Sequence, residues 1–262
     1  SNLMSSSGVI GSDVSGVGTA RAWLGGCTYG NDKAICAYGS VDGSAVLSMS
    51  NLVNNSGVVA SDVSGVGTAR LYAAAAGYGG DKGIFYTGAS GATLYNISNL
   101  VNTSGVVGSD VTGVGTARRS VTGLTYGEDK AIFAYGYQTG NISYSNLVSN
   151  VGVVASQVTG VGTARHPVGS SPYGSDKGMF AYGTTDGGTG LTMINLVSNT
   201  GVIAADSSGT GTARWALGGA RYGFDKGVFA YGQAASGMVS VKNLVSNVGV
   251  VASDVTGVGT AR

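Results

Sequence analysis

One feature constrains this chain more than any other: it repeats itself about every 48 residues. The string GTAR or a near twin ends at Arg21, Arg70, Arg118, Arg165, Arg214 and Arg262, at spacings of 49, 48, 47, 49 and 48 residues. NLV or NLM recurs at Asn2, Asn51, Asn99, Asn146, Asn195 and Asn243, and Asp-Lys at Asp32, Asp81, Asp129, Asp176 and Asp225. The chain therefore divides into units 22–70, 71–118, 119–165, 166–214 and 215–262, preceded by a partial unit, 1–21. A period of this length suits a propeller blade or a helical pair. Helices are disfavoured because 48 glycines punctuate every unit, and glycine is a poor helix former.

Each unit reads as four strands. In unit 119–165 they are SVTGLTY, AIFAY after the turn GEDK, NISYSNL and GVVASQV. The second is apolar without alternation, as expected of a strand covered on both faces. The first is built from small residues, as in AAAA at 73–76, which suits a position where neighbouring sheets converge. The expectation is an all-β repeat domain over 1–262.

The order of GTAR, small strand, tight turn and DKAIFAYG, then two outer strands, resembles the kelch repeat. The YG of each unit stands where that family has a double glycine, and its outer Tyr and Trp are missing. The near-identical, glycine-rich copies also resemble repeats of phage tail-fibre-like proteins. The first resemblance implies a β-propeller of about five four-stranded blades, or a six-bladed ring with one incomplete blade. The second implies an extracellular or virion location. The chain starts at Ser1 inside a repeat, which suggests a removed amino terminus or a piece of a longer protein. Residues 1–21 are expected as a closing segment, with 8–16 taking the outer-strand position of the last blade or mediating self-association.

Composition excludes several function classes. Charged residues make up 10% of the chain and net charge is +1, with no basic block for nucleic acid. No apolar run is long enough for a membrane span. His166 is the only histidine and Glu128 the only glutamate, so no catalytic residues, metal site or cofactor are assigned. The Asp-Lys turns, the GTAR arginines and the aspartates of the SDV motif recur in nearly every unit, as scaffold would. Gln157 replaces the aspartate in one unit, which argues against a metal there.

Variation between units points elsewhere. The two residues after each GTAR arginine differ, as do the segments between the second and third strands. In an up-and-down blade both emerge on one face, and loops on a rigid scaffold are where binding usually resides. Trp23, Tyr72, Tyr137, His166 and Trp215 are the candidate aromatic contacts, with Asp42, Gln138 and Asp186 as polar partners. Aromatic planes with carboxylate and amide groups suit a sugar or a flat apolar ligand. The expected function is non-enzymatic recognition or adhesion toward a cell-surface glycan or protein receptor. The alternative is a purely structural, self-assembling repeat protein. Cys27 and Cys36, the only cysteines, face each other if the turn centres between Asn31 and Asp32, which leaves two readings open: two small residues filling one space, or a disulfide across the hairpin.

Overall fold

The computed structural model describes residues 1–262 and contains no helix; the chain is all-β, in several small antiparallel sheets. Each full unit has a main sheet that runs first-second-third strand, and units 71–118 and 215–262 add a second small sheet. In unit 22–70 these are Gly25–Tyr29, Lys33–Ala37 and Ser50–Val53. In unit 119–165 they are Thr122–Tyr126, Lys130–Ala134 and Ser145–Val148.

The fourth strand is weaker than expected. A regular one forms only at Val111–Thr112. Elsewhere the segment touches the third strand through isolated bridges such as Val148↔Val154 and Ser145↔Val158. The NLV asparagine also ties this segment down through its side chain. Its side-chain amide, as in Asn146 Nδ2 to Ala155 O (3.0 Å), takes a carbonyl on the fourth segment. The same bond recurs from Asn51, Asn99, Asn195 and Asn243.

The hairpin register also differs from expectation by one residue. Gly30 and Asn31 both have positive φ, 56° and 68°. That is the signature of a tight two-residue hairpin turn, centred one position earlier than the sequence suggested. Asp32 is then an extra residue before pairing resumes at Tyr29↔Lys33. The cross-strand pairs are accordingly Cys27↔Ile35 and Gly26↔Cys36. A shift of one residue sends a side chain to the opposite sheet face, so Cys27 and Cys36 do not face each other, and both are free thiols. The equivalent aspartate of the next unit is used: the carbonyl of Asp81 accepts from Gly30 N of the preceding unit at 2.7 Å. The Asp-Lys turn is thus part of the joint between units. Its Lys–Asp ion pairs, 2.7 to 3.4 Å, lie at the surface and add little stability.

The apolar core is four layers, each shared by consecutive units. One contains Tyr29, Ile35 and Tyr38 with Phe85 and Val101. In every layer the tyrosine of AYG or its equivalent meets the phenylalanine of the next unit: Tyr38–Phe85, Tyr86–Phe133, Tyr135–Phe180 and Tyr182–Phe229, with ring centroids 4.9 to 5.4 Å apart. Such pairs add to the burial energy of the rings themselves.

The GTAR arginine is the polar counterpart. Arg70 is fully buried; it donates to Thr87 O and Asn99 Oδ1 of the next unit and covers the Tyr38 ring at 3.8 Å. The SDV aspartate receives the preceding unit: Thr68 N and Oγ1 both donate to Asp110 Oδ2. This crowding explains one invariant glycine. Gly67 has φ +75°, and a Cβ there would overlap Asp110 Oδ1.

Residues 1–14 do not extend the sheet of the last unit, which has its own fourth segment bridged at Val245↔Val251. They lie beside that unit as another third-and-fourth pair, bridged at Met4↔Ile10. Thr260 Oγ1 donates to Asp13 Oδ2 at 2.7 Å, and Arg262 donates to Asn2 Oδ1.

Candidate functional site

The two residues following each GTAR arginine are held by short-range pairing. Ala22, Leu71, Arg119 and His166 bridge to Ser40, Ala89, Tyr137 and Thr184, the first residues of the variable segment between second and third strands. In the last unit Trp215 pairs with Gln233. The two variable segments of each unit are therefore neighbours. Units 22–70 and 71–118 are joined here as well, Tyr72 N donating to Trp23 O at 2.9 Å.

The second variable residue takes a left-handed backbone in four of five units: Trp23, Tyr72, Ser120 and Ala216 have φ between 53° and 58°. Bulky side chains rarely adopt that region, and it tends to survive where surrounding structure enforces it. The consequence is convergence. Trp23, Tyr72, Ser120, Pro167 and Ala216, with the residues beside them, line a single cavity of about 530 Å³. All five units contribute to it.

Of the sequence-selected residues, Trp23, Tyr72, His166 and Trp215 line this cavity. Trp23 remains 45% exposed and packs against Tyr72 with ring centroids 5.5 Å apart. Tyr137 is not among the lining residues but rests against His166, centroids 4.9 Å apart. The other three do not join the site. Asp42 accepts from Ser44 N and Ala45 N in its own loop. Asp186 does the same with Gly188 N, Thr189 N and Thr184 Oγ1, and the backbone bonds hold its carboxyl well below the usual range. Both carboxylates fasten turns. Gln138 is exposed at a loop tip.

Arg119 occupies the same place after GTAR as His166 and Trp215 but is not aromatic. It lines the cavity, with its guanidinium 5.6 Å from the Tyr72 ring and 5.2 Å from that of Tyr137. Burial, then the charge of Arg119, lowers the pKa of His166. Asn141 sets which nitrogen of the neutral ring carries its proton. Its Nδ2 donates to Thr185 O, so its Oδ1 accepts from His166 Nδ1–H, and Nε2 is left as an acceptor. The cavity thus offers aromatic planes, one guanidinium and one imidazole acceptor.

A second cavity, about 610 Å³, lies among the first strands, lined by small residues such as Gly26, Thr28, Ala76, Gly123, Ser170 and Gly219. No group of three or more His, Cys, Asp or Glu side chains is placed to hold a metal ion, and no helix is long and apolar enough to cross a membrane. No protein-family model and no curated protein matches the chain. The kelch-like and fibre-like resemblances rest on the residues alone.

Proposed function

We propose that the protein is a non-enzymatic recognition module that binds a glycan or a flat partly apolar ligand in the aromatic cavity. In this reading the sheets are blades of a kelch-like propeller, the cavity is the mouth of its axis, and the setting is extracellular, such as a phage fibre. One observation carries the proposal: the positions after each GTAR arginine, which vary between otherwise similar units, are brought by all five to a single cavity. Random drift would not require the varied residues to meet. Exposed tryptophan and tyrosine planes beside an arginine suit a sugar ring, and an acidic sugar best, because the guanidinium can pair with a carboxylate or sulfate.

The test is a glycan array with the purified chain, followed by titration of the hits against Trp23→Ala, Trp215→Ala and Arg119→Gln. A tryptophan acting as an anchor is expected to cost about 2 kcal/mol of binding when removed. Arg119→Gln should weaken acidic ligands more than neutral ones. An array without hits, or hits indifferent to all three substitutions, would refute the proposal. Ordered assemblies seen instead would favour a self-assembling protein. The valines on the outer segments, Val58, Val106, Val153, Val202 and Val250, each 60 to 64% exposed, give that reading a surface.

A further inference from the structure

One sector of the aromatic cavity differs from the rest. Trp23, Tyr72 and Trp215 come from the first, second and fifth full units, whereas Arg119 and His166 come from the third and fourth. Every other arginine side chain donates at least one hydrogen bond. The Arg119 side chain donates none and has no ion pair, although it is half-buried between the Tyr72 and Tyr137 rings. No carboxylate lines the cavity. All five N–H donors of a charged fork are therefore open to a ligand.

His166 supplies the opposite polarity. Asn141, on the variable segment of the preceding unit, donates from Nδ2 to Thr185 O at 2.7 Å, which places its Oδ1 on His166 Nδ1. The proton then sits on Nδ1 and Nε2 is an acceptor. Around the ring are the Arg119 cation, the Tyr137 phenol and, on the adjoining loop of its own unit, Asp186. The Asp186 carboxylate is taken up by Thr184 Oγ1, Gly188 N and Thr189 N. Burial first, then the Arg119 charge, favour the neutral imidazole. Tyr137 supports both groups, with the guanidinium 5.2 Å and the imidazole 4.9 Å from its ring centre. A donor fork and a lone acceptor thus lie within reach of one sugar residue.

Resting on the recognition reading above, we infer that the cavity takes a uronic acid, its carboxylate paired with Arg119 and the hydroxyl on the neighbouring ring carbon donating to His166 Nε2. Asn141 and Tyr137 are positioning residues: one sets the tautomer, the other holds the two polar groups side by side. The planar fork matches a planar carboxylate through two parallel bonds. A sulfate ester presents acceptors on every side and brings one against the Nε2 lone pair. The tryptophan planes suit the apolar face of the same ring.

The probes are glucuronate and its 4-deoxy-4-fluoro analogue, which keeps the size of the hydroxyl and loses its donor, titrated calorimetrically into the full chain. At neutral pH glucuronate should bind about tenfold tighter than the analogue. His166→Phe should bring the two together while both still outbind glucose, and Arg119→Gln should remove the advantage over glucose. Acid protonates Nε2 as the pH falls through the folded pKa of His166, which lies below the ordinary 6.5, and the gap should then narrow. The sugar carboxylate stays ionised down to about pH 4.5. Because His166 is the only histidine, its ring-nitrogen NMR signals in the untagged, ligand-free chain report the tautomer directly. That tautomer should be Nδ1–H, and Asn141→Ala should admit the Nε2–H form. An Nε2–H ring in the native chain overturns the inference whether or not the variants fold. Equal binding of the two uronates, tighter binding of glucose sulfate, or glycan-array hits without any uronate overturn it too and leave the recognition reading standing. An array with no hits at all defeats both.

Discussion

Arg165 and Arg118 occupy equivalent joints one unit apart, and they are not equally well held. Arg165 donates from Nε to Tyr182 O (2.7 Å), from Nη1 to Thr163 O (3.1 Å) and from Nη2 to Asn195 Oδ1 (2.7 Å). Asp206 lies 3.7 Å from its Nη1, and the Tyr135 ring 4.6 Å below the guanidinium. Arg118 is just as buried, but its joint has Gln157 where the others have an aspartate. Nη1 turns to Gln157 Oε1 at 3.3 Å, Nη2 keeps Asn146 Oδ1 at 2.8 Å, and Nε has no partner. The Tyr86 ring stands 5.9 Å away. The comparison teaches what the repeated acid is for. An amide oxygen in its place still accepts from Thr116 N at 3.0 Å, so the position requires an acceptor and tolerates loss of the charge. That fits scaffold and leaves no chemistry to assign to it.

The largest expected effect is from removing the arginines. Arg165→Met strands two buried acceptors, Tyr182 O and Asn195 Oδ1, and should cost about 3–5 kcal/mol in denaturant unfolding. Arg118→Met strands fewer and should cost clearly less. Equal losses would mean that the orphaned Nε is immaterial.

Acid should come next. Asp13 is held down to about 2 by the Thr260 hydroxyl, then by Asn2 and the Thr260 amide. Asp62 is likewise lowered by Asn51 and Thr19. Groups whose folded pKa is depressed contribute stability in full above their unfolded value near 4, and that contribution fades as pH falls toward about 2. The melting temperature should therefore drop between pH 4 and pH 2, and hydrogen exchange should show the Gln157 joint changing least over that interval. A uniform response would remove the distinction.

Exchanging the two acceptors gives a smaller signal in both directions. Gln157→Asp should restore the bond from the Thr116 hydroxyl and draw in Arg118, stabilising by about 1 kcal/mol. Asp206→Gln should lose a similar amount. Opposite signs would show that the aspartate costs more in desolvation than its bonds return.

The smallest effect is a control. Trp23→Ala and Trp215→Ala alter the cavity and leave every arginine joint intact. They are expected to shift the melting temperature by less than Gln157→Asp. A larger shift would make the aromatic cavity part of the scaffold.

The all-β class was legible in the sequence, because five copies expose what every unit needs locally. The second strand was legible for the same reason: an apolar run after Asp-Lys carries its own pattern. The gathering of Trp23, Tyr72, His166 and Trp215 was anticipated from the face they share, while Arg119 was missed because its type differs from its neighbours in position. Asp42 and Asp186 were misread because a carboxylate that caps its own loop looks, in sequence, like one free to meet a ligand.

What the sequence alone determined is periodic: the length of a unit, its turns and its apolar strands, all set by residues close along the chain. What only the tertiary structure decided depends on residues some forty or more positions apart. The Thr163 and Asp206 partners are 43 residues apart. The cysteines point to different faces because the turn sits at Gly30–Asn31, where Gly30 N reaches Asp81 O of the next unit, and Asp32 is left extra to the ladder. Local chemistry repeats faithfully in every copy; the joints between copies are where one residue, Gln157 or Cys36, changes the outcome.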